Sequence, residues 1–237
     1  MIKIDNINKH YGKNHVLKNT NLDILSDKVT ILSGPNGSGK TTLVKLILGI
    51  VFPDNGAIYL DGENINAGVH YKNKIGYMPQ MPNFPENLSG NEILNICKKL
   101  RNSEVDFTEY IEHLRLENHI NKPFKTLSGG NKQKINLIQA FGFDSDYLIL
   151  DEPTVSLDPV SRLSLKELII KKKNEGKSIL IITHILSEII DIADKLIYLV
   201  EGNTLFDGEI HELNSITQSE NYDIAISQLT HQYERNI

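Results

Sequence analysis

The sequence predicts an α/β fold built on a mixed, largely parallel sheet, and two observations carry that prediction. Short β-rich runs alternate with helical patterns along most of the chain, as when helices serve as crossovers between parallel strands. Between Pro79 and about Asp144 the alternation stops and only helical patterns and loops remain, which reads as a helical subdomain, about 80–144, inserted in the sheet domain. A chain of 237 residues is long enough to bury one core with such a lobe.

The runs "IKIDNI", "KVTILS", "AIYLDG", "KIGYM", "YLILD", "SILIIT" and "KLIYLV" read as strands, rich in β-branched and apolar residues. "KLIYLVEGNTLFDG", with Glu201, Gly202 and Asn203 between its halves, reads as a hairpin near the sheet edge. Helical patterns cover Thr41–Ile50, Asn91–Arg101, Thr108–Leu116, Asn131–Phe141, Val160–Glu175 and Ser187–Asp194. Ser89 with Glu92 makes a capping box for the second, and Gly176 suits the end of the fifth. "MPQMPNFPE" opens the lobe with three prolines, a stiff and extended connector. The segment 214–237 is polar and reads as a tail beyond a domain ending near Leu213. Ile226, Leu229, Thr230 and Tyr233 could form one helical stripe there, or the tail could fray.

Bulk properties narrow the function classes. The formal net charge of -5 argues against a nucleic-acid partner, which usually meets a basic excess. Cys97 is the sole cysteine, which fits a reducing compartment. The N-terminus lacks a signal pattern, and "LVKLILGIVF" and "SILIITHIL" fall short of the roughly 18–20 apolar residues of a membrane span. The expectation is a cytoplasmic chain. If it works at a membrane, another subunit supplies the span.

The chemistry begins at Gly34-Pro35-Asn36-Gly37-Ser38-Gly39-Lys40-Thr41, which fits G-x-x-x-x-G-K-[ST] between a strand and a helix. In such a phosphate loop the glycines let backbone N–H groups turn toward phosphate oxygens, and the helix start adds its positive dipole end. Lys40 reaches the β- and γ-phosphates, the Thr41 hydroxyl suits Mg²⁺, and Thr42 continues the cradle. "YLILDEP" ends a strand on two acids. Alone they could simply meet solvent; beside a phosphate loop, Asp151 suits Mg²⁺ and Glu152 suits the attacking water.

"TLSGGNKQKINLIQA" stands upstream of Asp151, and "LSGG" before a helix followed by "LILDEPT" resembles the ATP-binding cassette (ABC) family. Further matches follow in the family's order: Tyr11 resembles the aromatic that stacks on adenine and Gln80 the Q-loop glutamine. Ser156–Asp158 resembles the D-loop and His184 the switch histidine. The resemblance implies a phosphate-loop NTPase of ABC type: a RecA-like mixed sheet core, N-terminal antiparallel strands and an inserted helical subdomain. It also implies catalytic roles for Lys40, Gln80, Glu152 and His184, with Gln80 joining Thr41 and Asp151 at Mg²⁺. The expected assembly is a head-to-tail homodimer or heterodimer around two ATP, in which Ser128, Gly129 and Gly130 touch the γ-phosphate in trans. Asn131 departs from the glutamine usual after "LSGG"; it keeps the amide on a shorter stem, so activity is expected to survive.

Three classes compete. A phosphate-loop kinase or GTPase lacks a use for "LSGG" and for Glu152. A soluble ABC ATPase acting on ribosomes or DNA usually carries two cassettes, long arms or basic patches. The expectation is the ATPase subunit of a membrane transporter, peripheral on the inner face of the cell membrane through integral permease subunits. "IGYMPQMPNFPENLSGNE" is moreover similar to ATPases of copper-linked transporters that serve nitrous oxide reductase maturation, although no residue spacing in the chain suits copper. Phe84, between two prolines, is either a contact for the permease or lobe core.

Overall fold

The computed structural model describes residues 1–217 and 222–235. Strand β1 (Ile2–Tyr11) folds back on β2 (Asn14–Ile24), and β3 (Val29–Ser33) leads through the phosphate loop into helix α1 (Lys40–Ile47). β4 (Asn55–Leu60) and the short β5 (Glu63–Asn64) complete a four-stranded antiparallel sheet of order β2-β1-β4-β5. The expected strand runs did not include β2. Its pairing with β1 shifts register three times and passes Asn6 and Asn19 in left-handed backbone, so the two-residue alternation that marks a strand is broken.

The second sheet holds β6 (Ile75–Met78), β7 (Tyr147–Asp151), β8 (Ser178–Ile182), β9 (Lys195–Val200) and β10 (Asn203–Glu209), in the order β10-β9-β3-β8-β7-β6. All pairs are parallel except the β9–β10 hairpin, whose two turn residues, Glu201 and Gly202, both take positive φ. β3, β7 and β8 are buried along their whole length, as parallel strands covered on both faces must be. Ile31, Leu148 and Ile179 face one apolar cluster, while Leu32, Ile149 and Leu180 face the other, shared with α1 and the antiparallel sheet.

Between β6 and β7 lie α2 (Gly90–Arg101), α3 (Thr108–His113) and α4 (Gly129–Phe141). Ile93, Leu94 and Tyr110 join the cluster that holds Phe141 and Leu148, so the helical segment and the sheet share a continuous core. The Ser89–Glu92 capping box is formed in both directions. α5 (Pro159–Asn174) ends at Gly176, whose φ of +75° suits a residue without Cβ.

Three readings need correction or completion. "LSEIIDIAD" is not an α-helix; it makes two 3₁₀ turns, Leu186–Glu188 and Ile190–Ile192, with Ile189 between them at φ −138°. Burying Leu186, Ile189 and Ile190 against the core wins over a short isolated helix. α6 (Ile210–Thr217) runs across the expected end of the domain, and α7 (Tyr222–Arg235) buries Ala225 and Leu229 in the sheet cluster with Ile226 packed beside them. The side chain of Tyr233, expected on that stripe, lies outside the described residues, as do residues 218–221. Phe84 packs edge-on against Phe124 at 5.5 Å and is half-buried lobe core, whereas Met81, 79% exposed, is the apolar side chain this connector offers to solvent.

Candidate nucleotide-binding and hydrolysis site

β3, β6, β7 and β8 run parallel, so their C-terminal ends share one edge of the sheet, where open α/β sheets place ligands. The phosphate loop leaves β3 there, Gln80 lies just past β6, Asp151 and Glu152 end β7, and His184 follows β8. A cleft of about 250 Å³ opens at this edge. Of the expected residues, Asn36, Gly37, Ser38, Gly39, Lys40, Thr41, Thr42, Gln80, Asp151 and Glu152 line it.

The loop is braced by its own lysine. Lys40 Nζ donates to the carbonyls of Gly34 at 2.7 Å and Pro35 at 2.9 Å, with Ser38 Oγ at 3.5 Å. A Cβ at Gly34 would lie 2.1 Å from the Leu199 carbonyl oxygen, and one at Gly39 would meet Leu17 at 2.7 Å. Those two glycines answer to packing behind the loop as well as to positive φ. At Gly37 a Cβ would meet nothing, so its φ of +81° is what calls for glycine.

Glu152 takes left-handed backbone, φ 50°, a conformation that costs a non-glycine residue about 1 kcal/mol and is kept where the surroundings enforce it. Its N–H donates to the Ile182 carbonyl at 2.8 Å, and its own carbonyl accepts from buried Gln133 Nε2 at 3.4 Å. The carboxylate is buried and meets His184 Nδ1 at 2.7 Å through Oε1, while Oε2 accepts from Thr183 Oγ1 at 3.3 Å. Burial and the charge of Glu152 push the Asp151 carboxyl up to about 6, and Lys40 opposes this only in part. Burial lowers the Lys40 pKa, opposed by Glu152 and Asp151. The acids and the lysine therefore hold one another in a pocket that favours neither charge alone.

Other expected residues stand apart. Tyr11 ends β1, is 47% exposed, and does not line the cleft; Lys9 Nζ lies 5.5 Å from its ring centre. Ser128 caps α4, its Oγ accepting from Asn131 N at 3.3 Å, and Gly129 is exposed beside it. A Cβ at Gly130 would sit 2.8 Å from the Ser156 carbonyl oxygen, so this stretch packs against the turn after β7 and not in the cleft. Asp158 caps α5 through Ser161 N at 3.0 Å.

Sequence reasoning missed Asn14, Val16 and Ile182 in the cleft lining, and Thr183 and Gln133 behind Glu152. Asn14 and Val16 fall on the unrecognised β2. Gln133 left a signal, one of the amides, with Asn136 and Gln139, among the apolar residues of "NKQKINLIQA". A second cleft of about 190 Å³ brings Ile226 of α7 to Gly34, Pro35 and His184, a proximity without any local trace in the sequence.

The sequence profile of a family described as ABC transporter matches residues 17–155. The lantibiotic transport ATP-binding protein SrtF of Streptococcus pyogenes is 35% identical over 210 residues, covering 88% of this chain and 91% of that protein. The bacitracin transport ATP-binding protein BcrA of Enterococcus faecalis is 35% identical over 218 residues, 90% of this chain and 71% of its own length. Among solved structures, an ATP-binding subunit of an ABC transporter superposes with a TM-score of 0.90 at 26% identity, covering 97% of this chain and 99% of that one. A dimeric post-hydrolysis state of the cassette MJ0796, bound to ADP and Pi, superposes with a TM-score of 0.79 at 25% identity over 89% of this chain and 99% of its own. Phosphate loop, paired acids, family profile and relatives agree, and the chain belongs to the ATP-binding subunits of the ABC transporter family.

Proposed function

We propose that this chain is the motor of an export-type ABC transporter, in which two copies close around two ATP, hydrolyse them and move membrane-spanning permease subunits. The observation that carries the reading is the single cleft lined by Lys40, Thr41, Gln80, Asp151 and Glu152, with Ser128–Gly130 outside it. The exposed start of α4, a serine cap followed by two glycines, suits half of a phosphate site, and a second copy can supply the other half. The lantibiotic and bacitracin transport relatives favour export of such compounds over the copper-linked reading. Among the described residues no helix is long and apolar enough to cross a membrane, so attachment would run through the permease.

The Thr41 hydroxyl, the Gln80 amide and the Asp151 carboxyl bring hard oxygen donors to one cleft, a set that suits Mg²⁺. Bound there, Mg²⁺ would neutralise charge on the phosphate oxygens. Lys40 exchanges its two loop carbonyls for phosphate oxygens, and the glycine-rich backbone follows. Asp151 would hold the cation as a carboxylate, and the cation's charge would offset the burial that raises its pKa. Glu152 orients the attacking water and accepts its proton as the water oxygen bonds to the γ-phosphorus and the bond to ADP breaks. His184, already on the Glu152 carboxylate, fixes its direction.

Glu152→Gln tests this reading. The variant is expected to keep ATP binding, lose hydrolysis by about a hundredfold or more, and run as an ATP-dependent dimer on gel filtration. Hydrolysis at the parent rate would overturn the role of Glu152. Purified with ATP from detergent-solubilised native membranes, the trapped protein should bring a multi-span partner; a soluble complex with ribosomes or DNA would overturn the transporter reading.

A further inference from the structure

α4 is apolar where it meets the sheet: Ile135, Leu137, Ile138, Ala140 and Phe141 are all fully buried. Two amides interrupt that face. Asn136, also fully buried, donates from Nδ2 to the Pro79 carbonyl at 2.7 Å. Gln139 donates from Nε2 to the Tyr77 carbonyl at 2.6 Å and reaches Asn136 Oδ1 at 3.5 Å. Tyr77 and Pro79 flank Met78, the last residue of β6, and Gln80 follows in the cleft.

The contact is tight as well as polar. A Cβ at Gly76 would lie 2.5 Å from the Ala140 carbonyl oxygen and 2.7 Å from Leu148, so β6 and α4 have no slack between them. Pro79 lies beyond the β6–β7 pairing, which ends at Met78 and Leu150, and Asn136 supplies its carbonyl with the donor that the sheet no longer offers. Leucine at 136 would fill similar volume and leave that carbonyl bare, a cost that follows from burying an unpaired polar group. One turn earlier, Gln133 holds the Glu152 carbonyl. A single helix thus begins at the Ser128 cap and grips the backbone of Tyr77 and Pro79, just ahead of Gln80, as well as that of Glu152.

We propose that Asn136 and Gln139 are positioning residues that transmit the seating of the α4 N-terminus on one ATP to Gln80 at the other ATP of the dimer. The inference rests on the dimer reading above. When the partner's ATP pulls on Ser128–Gly130, α4 moves as a rigid rod and the two amides carry the β6 end and Gln80 with it. Coupling of the sites then needs no contact between Gln80 and the signature, only two discrete seats for α4.

The test compares Asn136→Leu and Gln139→Met, which remove the donors at similar volume, with Gln139→Arg, which restores an N–H at similar reach. The full-length chain is assayed for ATP hydrolysis across an ATP titration, for ATP binding in the Glu152→Gln background, and for thermal unfolding. Both donor-less variants are expected to lose about tenfold in kcat and to lower the Hill coefficient toward one. ATP affinity should stay within about twofold of the parent, and Gln139→Arg should recover both lost quantities. Parent-like kcat and Hill coefficient, or no recovery with Gln139→Arg, would overturn the proposal. If Asn136→Leu does not fold, Gln139→Met, at a half-buried position, decides alone. A parent chain that does not hydrolyse ATP or a Glu152→Gln chain that does not dimerise overturns the underlying reading, and is seen before any α4 variant is measured.

Discussion

Asp151 is a carboxyl whose surroundings oppose its charge, and its pKa of about 6 against an ordinary 3.8 has a stability consequence. Between those values the folded chain keeps a proton that the unfolded chain has released. Folding is therefore progressively disfavoured as pH rises through that window, and the deficit persists above it. Asp151→Asn is expected to raise the stability of the nucleotide-free protein on the order of 1–2 kcal/mol at about pH 8, with the gain vanishing near about pH 4. Thermal melts over a pH series check this; a difference independent of pH would mean that Asp151 is already ionised in the folded chain at low pH. On the proposed reading the acid stays because an amide cannot hold a cation as a carboxylate does. The residues proposed for these roles stand out in the sequence because "GPNGSGKTT" and "LILDEP" are contiguous and their chemistry is local. The grip of Gln133 and Thr183 on Glu152 was not, since those hydrogen bonds join residues distant in the chain.

Helices α2 and α4 are started by the same device, a serine cap, for different ends. Ser89 and Glu92 cap α2 reciprocally, at 2.8 Å and 3.3 Å, inside the lobe and away from the cleft. Ser89→Ala should cost about 1 kcal/mol, read as a lowered midpoint in urea unfolding, and an unchanged midpoint would show that the box contributes nothing net. Ser128 caps α4 with a bond of the same 3.3 Å but without a reciprocal carboxylate, and it stays exposed at the helix start. Elements with strong period or capping signals were readable. β2 was not, because its register shifts erase alternation, and the 3₁₀ turns at Leu186 and Ile190 mimic the apolar spacing of a helix while their backbone follows the core.

At the scale of the molecule, the proposed dimer would complete the cleft with the partner's Ser128–Gly130. Lys40 stands in it and Ser128 does not, so each should be dispensable on one copy if the partner supplies it. Lys40→Ala and Ser128→Arg chains should each lose about a hundredfold in hydrolysis alone. Mixed in equal amounts, they form dimers with one intact site, and part of the parent rate should return. Mixing without any recovery would mean that the signature does not act in trans. α7 adds a feature with no counterpart in the motifs: Ala225 and Leu229 seal the sheet cluster, and Ile226 sits in a cleft with Pro35 and His184.

The sequence by itself determined the family, the phosphate chemistry and the alternation of strands and helices, because each depends on residues close together in the chain. Only the tertiary structure decided that Gln80, Asp151, Glu152 and the phosphate loop share one cleft, since that follows from parallel strands all ending on one sheet edge. It likewise decided that Phe84 is lobe core while Met81 is exposed, and that α4 grips the carbonyls of Tyr77 and Pro79. Side-chain burial and hydrogen-bond partners are set by what packs across the fold, and neighbouring letters carry no record of it.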